Sequence, residues 1–370
     1  MSIRFLDRSA NVDLAMLTAK AFCYGIRPSE AALNQLGQLF NEKGFIHGVP
    51  IQLESGRIIN TALFDEFVKT SPSVPLDFNG DGFFLLHEGH RVFCRPVGQP
   101  DSLYKSTPFG GLWVDIVRFH APQTLFVTPL RECVFATQGE ICQFCTFVGD
   151  AMKPSPVSPV ADKIIELIER QNGDLNVAIG SGTPNRQDYG ARYFAHLAEL
   201  IFDRTGAGIS VEMVPPKDTA DLQLLKDAGV SSLIMSIEVW DEEKRVIFCP
   251  GKSEVSKSQY IEAWTEAVSL FGRGQVSSVV LVGLDSNESV IRAIDELTSI
   301  GVVPTIIPFR PYDECELRGV DVTLVDDYVL CSRHNAEALL KQQLSPFQQS
   351  GCTKCQGCSI DAPDFWEHAS

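Results

Sequence analysis

The 370-residue sequence contains no apolar run of the roughly 18–20 residues needed to cross a bilayer. Basic residues are scarce: 31 Lys and Arg face 47 Asp and Glu, giving a formal net charge of −16. Gripping a phosphate backbone needs a concentrated basic surface, so the deficit argues against nucleic acid as a partner. It leaves room for a small cationic pocket. The opening stretch carries Asp7 and Asp13 and no sustained apolar core, so it makes a poor secretory signal and the expected location is the cytoplasm. No HExxH motif or convergent histidine–aspartate set supports a hydrolytic zinc centre. Disorder is excluded too, since 44% of residues are hydrophobic.

What the chain does have is cysteine, eleven residues and therefore an odd number. Without an export signal, metal or thiol chemistry accounts for them better than disulfide stapling.

Residues 1–120 keep no steady rhythm. Leu33, Leu36, Leu39 and Phe40 after Ser29 predict a helix, and Phe83–Leu86 and Val92–Cys94 flank a turn at His87–Arg91. Proline and glycine between Pro96 and Gly111 then predict loop. We expect an N-terminal α+β extension here. After Leu125 the pattern becomes regular. Strands are predicted at Leu125–Thr128, Leu175–Ile179, Ile209–Glu212, Leu233–Ile237, Val279–Val282 and Val303–Ile307. Helices are predicted around 164–168, 187–204, 218–228, 255–271 and 287–299. Alternation of this kind means parallel strands with right-handed crossovers, with chemistry at the carboxyl ends of the strands. The expected class is α/β, a core over 121–315 followed by a C-terminal helix and auxiliary cluster segment over 316–370. From about Leu344 that segment reads as non-globular.

Cys133, Cys142 and Cys145 follow the first regular strand. Thiolates select soft metals, and three on one strand-end loop suit an iron–sulfur cluster with one iron left open. A zinc site completed by His90 or His120, or three unliganded cysteines, are the alternatives. A second group, Cys352, Cys355 and Cys358, has successive gaps of two residues with Gly351 and Gly357 beside it. A second [4Fe–4S] cluster fits it, with Cys331, Cys315 or substrate as fourth ligand. A zinc site using Cys331 or His334 competes. Cys23, Cys94 and Cys249 read as core or semi-buried residues, although Cys249 sits beside a Pro-Gly-Lys motif and could approach the active mouth.

The stretch Glu140-Ile-Cys-Gln-Phe-Cys-Thr-Phe147 resembles the cluster loop of the radical S-adenosylmethionine (SAM) superfamily. The usual loop is CxxxCxxC; here eight residues separate Cys133 from Cys142. Gly182–Asn185, Cys249–Val255, Phe271–Ser277, Val282–Leu284 and Gly351–Ser359 resemble a narrower, biotin-synthase-like group encoded in bacterial nitrilase-associated gene clusters. The resemblance covers about residues 120–360. It implies a partial (β/α)6 radical-SAM-type barrel, a [4Fe–4S] cluster on Cys133, Cys142 and Cys145, and SAM chelated by the open iron. It also implies reductive cleavage of SAM to a 5′-deoxyadenosyl radical that abstracts hydrogen from a small-molecule substrate. A low-potential donor such as flavodoxin or ferredoxin would supply the electron.

Gly180-Ser181-Gly182-Thr183 resembles the family's turn for the amino group of SAM, although the customary acidic residue after two glycines is missing. Glu212 and Glu238, at strand ends, are candidates for ribose hydroxyls or for balancing cofactor charge, or else are partners for Lys252 or Arg245. Gly283 resembles the family's fifth-strand backbone site for adenine. Arg273 and Arg310 are candidate catalytic groups because a guanidinium holds a carboxylate through two bonds, for Arg310 that of substrate or the methionine carboxylate of the cofactor; solvated or ion-paired arginines are the alternative. The competing functions are a zinc-dependent hydrolase or lyase and a noncatalytic iron–sulfur carrier.

Overall fold

A computed structural model describes residues 13–39, 48–130, 132–146, 155–362 and 366. The chain begins with α1 (Leu14–Tyr24), β1 (Ile26–Pro28), α2 (Glu30–Leu39), β2 (Ile51–Leu53), β3 (Ile58–Ile59) and α3 (Glu66–Thr70). The strands β4 (Val74–Phe78), β5 (Phe83–His87) and β6 (His90–Pro96) follow. They form a six-stranded sheet in the order β1-β4-β5-β6-β2-β3, in which only β1 and β4 run parallel. The hairpin expected around His87–Arg91 is present, with His87 opposite His90. In α2, Leu36 is buried while Leu33 is exposed; Phe40 lies outside the described residues.

The second sheet holds β7 (Val117–Ala121), β8 (Thr124–Val127), β9 (Asn176–Gly180), β10 (Ile209–Glu212), β11 (Val230–Ile234), β12 (Val276–Val282) and β13 (Val303–Pro308), neighbours in that order. The six strands β8 to β13 are parallel, and β7 closes the edge as an antiparallel hairpin with β8. This is the expected partial (β/α)6 barrel with one extra strand. The hairpin ties residues on either side of position 120 into one sheet. Its crossover helices are α4 (Val134–Thr137), α5 (Val157–Arg170), α6 (Ala191–Thr205), α7 (Ala220–Asp227), α8 (Glu242–Phe248), α9 (Lys257–Phe271) and α10 (Asn287–Ile300).

These helices bury one face each. In α5, Ile164, Leu167 and Ile168 are almost fully covered, each contributing about 1.5–3 kcal/mol of burial. Trp264 in α9 is fully buried and donates its indole N–H to the Met235 carbonyl at 3.1 Å. α11 (Val325–Lys341) packs against β13 and against α1, where Phe22 and Tyr328 meet edge to face.

The C-terminal segment is packed, contrary to its reading as non-globular. It carries α12 (Cys352–Cys355) and runs across the amino-terminal ends of the barrel strands. The Gly351 N–H donates to Asn176 Oδ1 at 2.8 Å, and Ser350 Oγ lies 2.8 Å from Ser231 Oγ. Further on, the Ile306 N–H donates to Asp361 Oδ2 at 2.9 Å. The tail therefore floors the barrel. Its small polar residues are buried because strand-start polar groups satisfy them. No described helix is long and apolar enough to cross a membrane.

Candidate active site

The first cysteine loop sits over the carboxyl ends of the strands. Cys133 caps the start of α4, and the Cys145 N–H donates to the Cys142 carbonyl at 2.9 Å. Backbone bonds fix the loop to the Cys249–Lys252 region: Gln143 donates to Phe248 and Gly251 donates to Glu140. Arg186 bridges Glu140 and Glu254 and stacks on Phe135. Beneath it, a side chain at Gly182 would press 2.6 Å from the Glu132 carbonyl and 3.1 Å from Cys133 Cβ. The Gly180–Thr183 turn is sewn to the same loop, since Ser181 Oγ donates to Leu130 and the Thr183 carbonyl accepts from Val134.

Cys142 is buried with Cys249, Val239, Leu281, Leu284 and Phe309. Its thiol hydrogen-bonds that of Cys249, which lowers Cys142's pKa and raises that of Cys249. Cys249 is fully buried, as expected, and meets Cys142 of the first cysteine loop. Its position beside the Pro-Gly-Lys motif was the available signal.

Glu238 is buried just past β11, with φ at +59°. A glutamate in the left-handed region costs on the order of 1–3 kcal/mol, so the surroundings must hold it there. Lys252 does so through a 2.5 Å bond to Oε1, while Oε2 has no hydrogen-bond partner. Burial works against the Lys252 charge, but Glu238 and Cys142 outweigh it and raise its pKa. Glu212 ends β10 beside Gly180, its carboxyl raised by burial and bonded by Ser236.

Other expected residues are placed elsewhere. Arg273 is exposed in the turn before β12, at the opposite end of the strands, and its weak bond to the Gln342 carbonyl makes it a surface group. Cys331 is buried between α11 and α10 beside Asn287, so it is not part of the tail group. His334 pairs with Asp295, and His90 is exposed on the N-terminal hairpin. Gly283 has φ +98°, and the space a side chain would need there is filled by Thr323 Oγ1.

The tail cysteines belong together. Burial raises the pKa of Cys352, Cys355 and Cys358, that of Cys355 to about 12, and the neighbouring tail thiols add to it for Cys352 and Cys355. Asn60 faces Cys358, and the Asn60 N–H donates to the Gly357 carbonyl at 2.7 Å. Between this floor and the first loop lies a cavity of about 400 Å³. Its wall includes Thr146, next to Cys145, and also Cys352 and Cys358. His120 and Phe126, stacked at 4.5 Å, form one side, and Asn60 and Thr61 of the N-terminal unit form another. Burial holds the His120 pKa down at about 4, so the imidazole is neutral near pH 7.

Among the described residues, no three His, Cys, Asp or Glu side chains stand gathered as a metal site. The donor chemistry nonetheless fits an iron–sulfur cluster. Each group offers three thiols on one short segment, and the unpartnered Glu238 Oε2 offers an acceptor near the first.

An open parallel α/β barrel with thiols at its carboxyl mouth defines the class, and sequence comparison agrees. Residues 128–303 match the family model described as the Radical SAM superfamily. Members of this family use a [4Fe–4S] cluster and SAM. The bacteriochlorophyllide c C-7(1)-hydroxylase of Chlorobaculum limnaeum is 25% identical over 264 residues. The match covers 63% of this chain and 62% of that protein. Among solved structures, methylornithine synthase aligns with a TM-score of 0.49 and 16% identity, covering 60% of this chain and 63% of its own. A radical SAM methyltransferase from Sphaerobacter thermophilus aligns with a TM-score of 0.46 and 14% identity, covering 62% and 66% respectively.

Proposed function

We propose that the protein is a radical SAM enzyme acting on a small metabolite, within the biotin-synthase-like subgroup its motifs resemble. The observation that carries this reading is a cavity bounded by the residue next to Cys145 at one end and by Cys352 and Cys358 at the other. When bound and reduced by one electron, SAM supplies a 5′-deoxyadenosyl radical that takes a hydrogen atom from substrate.

The chain's residues have distinct tasks. Cys133, Cys142 and Cys145 would hold the catalytic [4Fe–4S] cluster, and Cys352, Cys355 and Cys358 a second one. Gly182 lets the backbone of the Gly180–Thr183 turn approach the first loop closely and serve the methionine end of the cofactor. Lys252 fixes Glu238 so that its second oxygen can accept a ribose hydroxyl. Glu212, bonded to Ser236, faces the cavity and can balance cofactor charge. The N-terminal unit and the tail keep water from a reactive carbon radical by completing the chamber. Flavodoxin or ferredoxin would deliver the electron, and the cytoplasm would supply both partners.

Anaerobic reconstitution of the full chain is expected to give about eight irons and eight sulfides. Adding SAM should change the spectrum of the reduced protein, and 5′-deoxyadenosine should accumulate. Stoichiometric zinc in anaerobically purified protein would overturn the proposal, as would an iron-loaded protein indifferent to SAM.

A further inference from the structure

The chamber contains one strong clue to its substrate. Arg310 follows β13 and lines the cavity, half-buried, where it donates only a long 3.4 Å bond to the Asn60 carbonyl and lies 5.4 Å from the Tyr312 ring centroid. Among the described residues its partners are the Asn60 carbonyl and the Tyr312 ring, both neutral. The acids in the cavity wall are engaged elsewhere: Glu212 with Ser236, and Asp115 with the Leu112 N–H. A guanidinium in a confined, largely apolar space, with only neutral partners, is suited to an anion from outside. Planar carboxylates match its fork.

The site is also directional. Arg310 stands by Asn60, whose side chain faces Cys358, and shares the chamber wall with that cysteine at its tail end. The His120–Phe126 stack and Ile234, Val279 and Ile307 provide flat and apolar wall. We propose that the chamber selects a compact molecule with an apolar or aromatic body and one carboxylate. Arg310 and Asn60 hold the carboxylate beside the tail cysteines, and the body extends toward Thr146 and the first cysteine loop. A cavity of about 400 Å³ suits a metabolite-sized ligand. This inference rests on the radical SAM reading for its chemistry, but the binding claim stands on the cavity alone.

The test uses the anaerobically reconstituted full chain and a panel of matched acids and primary amides, such as indole-3-acetate and indole-3-acetamide, read by calorimetry. Acid-selective binders are expected, with acids held about ten- to hundredfold tighter than their amides. R310Q should abolish that preference, R310K should retain part of it, and the surface control R204Q should retain all of it. Equal affinity for acids and amides across the panel, or selectivity unchanged in R310Q, overturns the inference. SAM cleavage is measured on the same samples. Cleavage without acid selectivity sinks this inference alone, whereas Arg310-dependent selectivity without cleavage sinks the radical reading alone.

Discussion

The two cysteine groups are built in opposite ways. The loop of Cys133, Cys142 and Cys145 sits at the barrel's mouth, held by backbone bonds and by the half-exposed Arg186 between Glu140 and Glu254. The group of Cys352, Cys355 and Cys358 lies in a tail seated on the strand starts, with Ser350, Thr353, Ser359 and Asp361 buried around it. The first is tied down by backbone bonds and a half-exposed ion-pair bridge, the second by buried polar side chains of its own segment.

The contrast implies that stability should respond to changes at the floor more than at the mouth. The largest effect expected is at Asp361, where burial pushes the carboxyl up to about 7. The folded state then binds its proton more tightly than the unfolded chain does. The associated stability is complete below about pH 4 and is lost as pH rises to about 7. Asp361→Asn should remove that decline, a swing of up to about 4 kcal/mol, seen in melting temperatures between pH 4 and 8. An unchanged pH slope would mean that the tail is not docked this way.

A smaller loss is expected from Gly351→Ala. Gly351 has φ +80°, and a side chain there would fall on Ser210 Oγ. The variant should cost about 3 kcal/mol and expose the tail to proteolysis. Wild-type stability would show that the tail can dock without this close approach. The smallest effect is expected at the mouth. Arg186→Ala removes partly solvated ion pairs and should cost under about 1 kcal/mol in chemical denaturation. A larger loss would make the loop as embedded as the floor.

The sequence made the barrel readable because strands such as Val276–Val282 and Val303–Pro308 are buried on both faces and rich in β-branched residues. It hid β7, whose Arg118 and His120 point polar groups into the cavity and break the apolar run. The thiols were legible as two groups, but the Cys142–Cys249 contact was not, because residues over one hundred positions apart meet only after the strands curl. The tail's burial depended on partners such as Asn176, 175 residues away, which local composition does not report.

The central claim is that the mouth cysteines, rather than the floor cysteines, carry SAM cleavage. The direct measurement is iron content and 5′-deoxyadenosine formation for C142A/C145A protein reconstituted alongside wild type. The account predicts about four irons retained, a folded chain, and 5′-deoxyadenosine reduced at least about a thousandfold. Cleavage at the wild-type rate in that variant would contradict it.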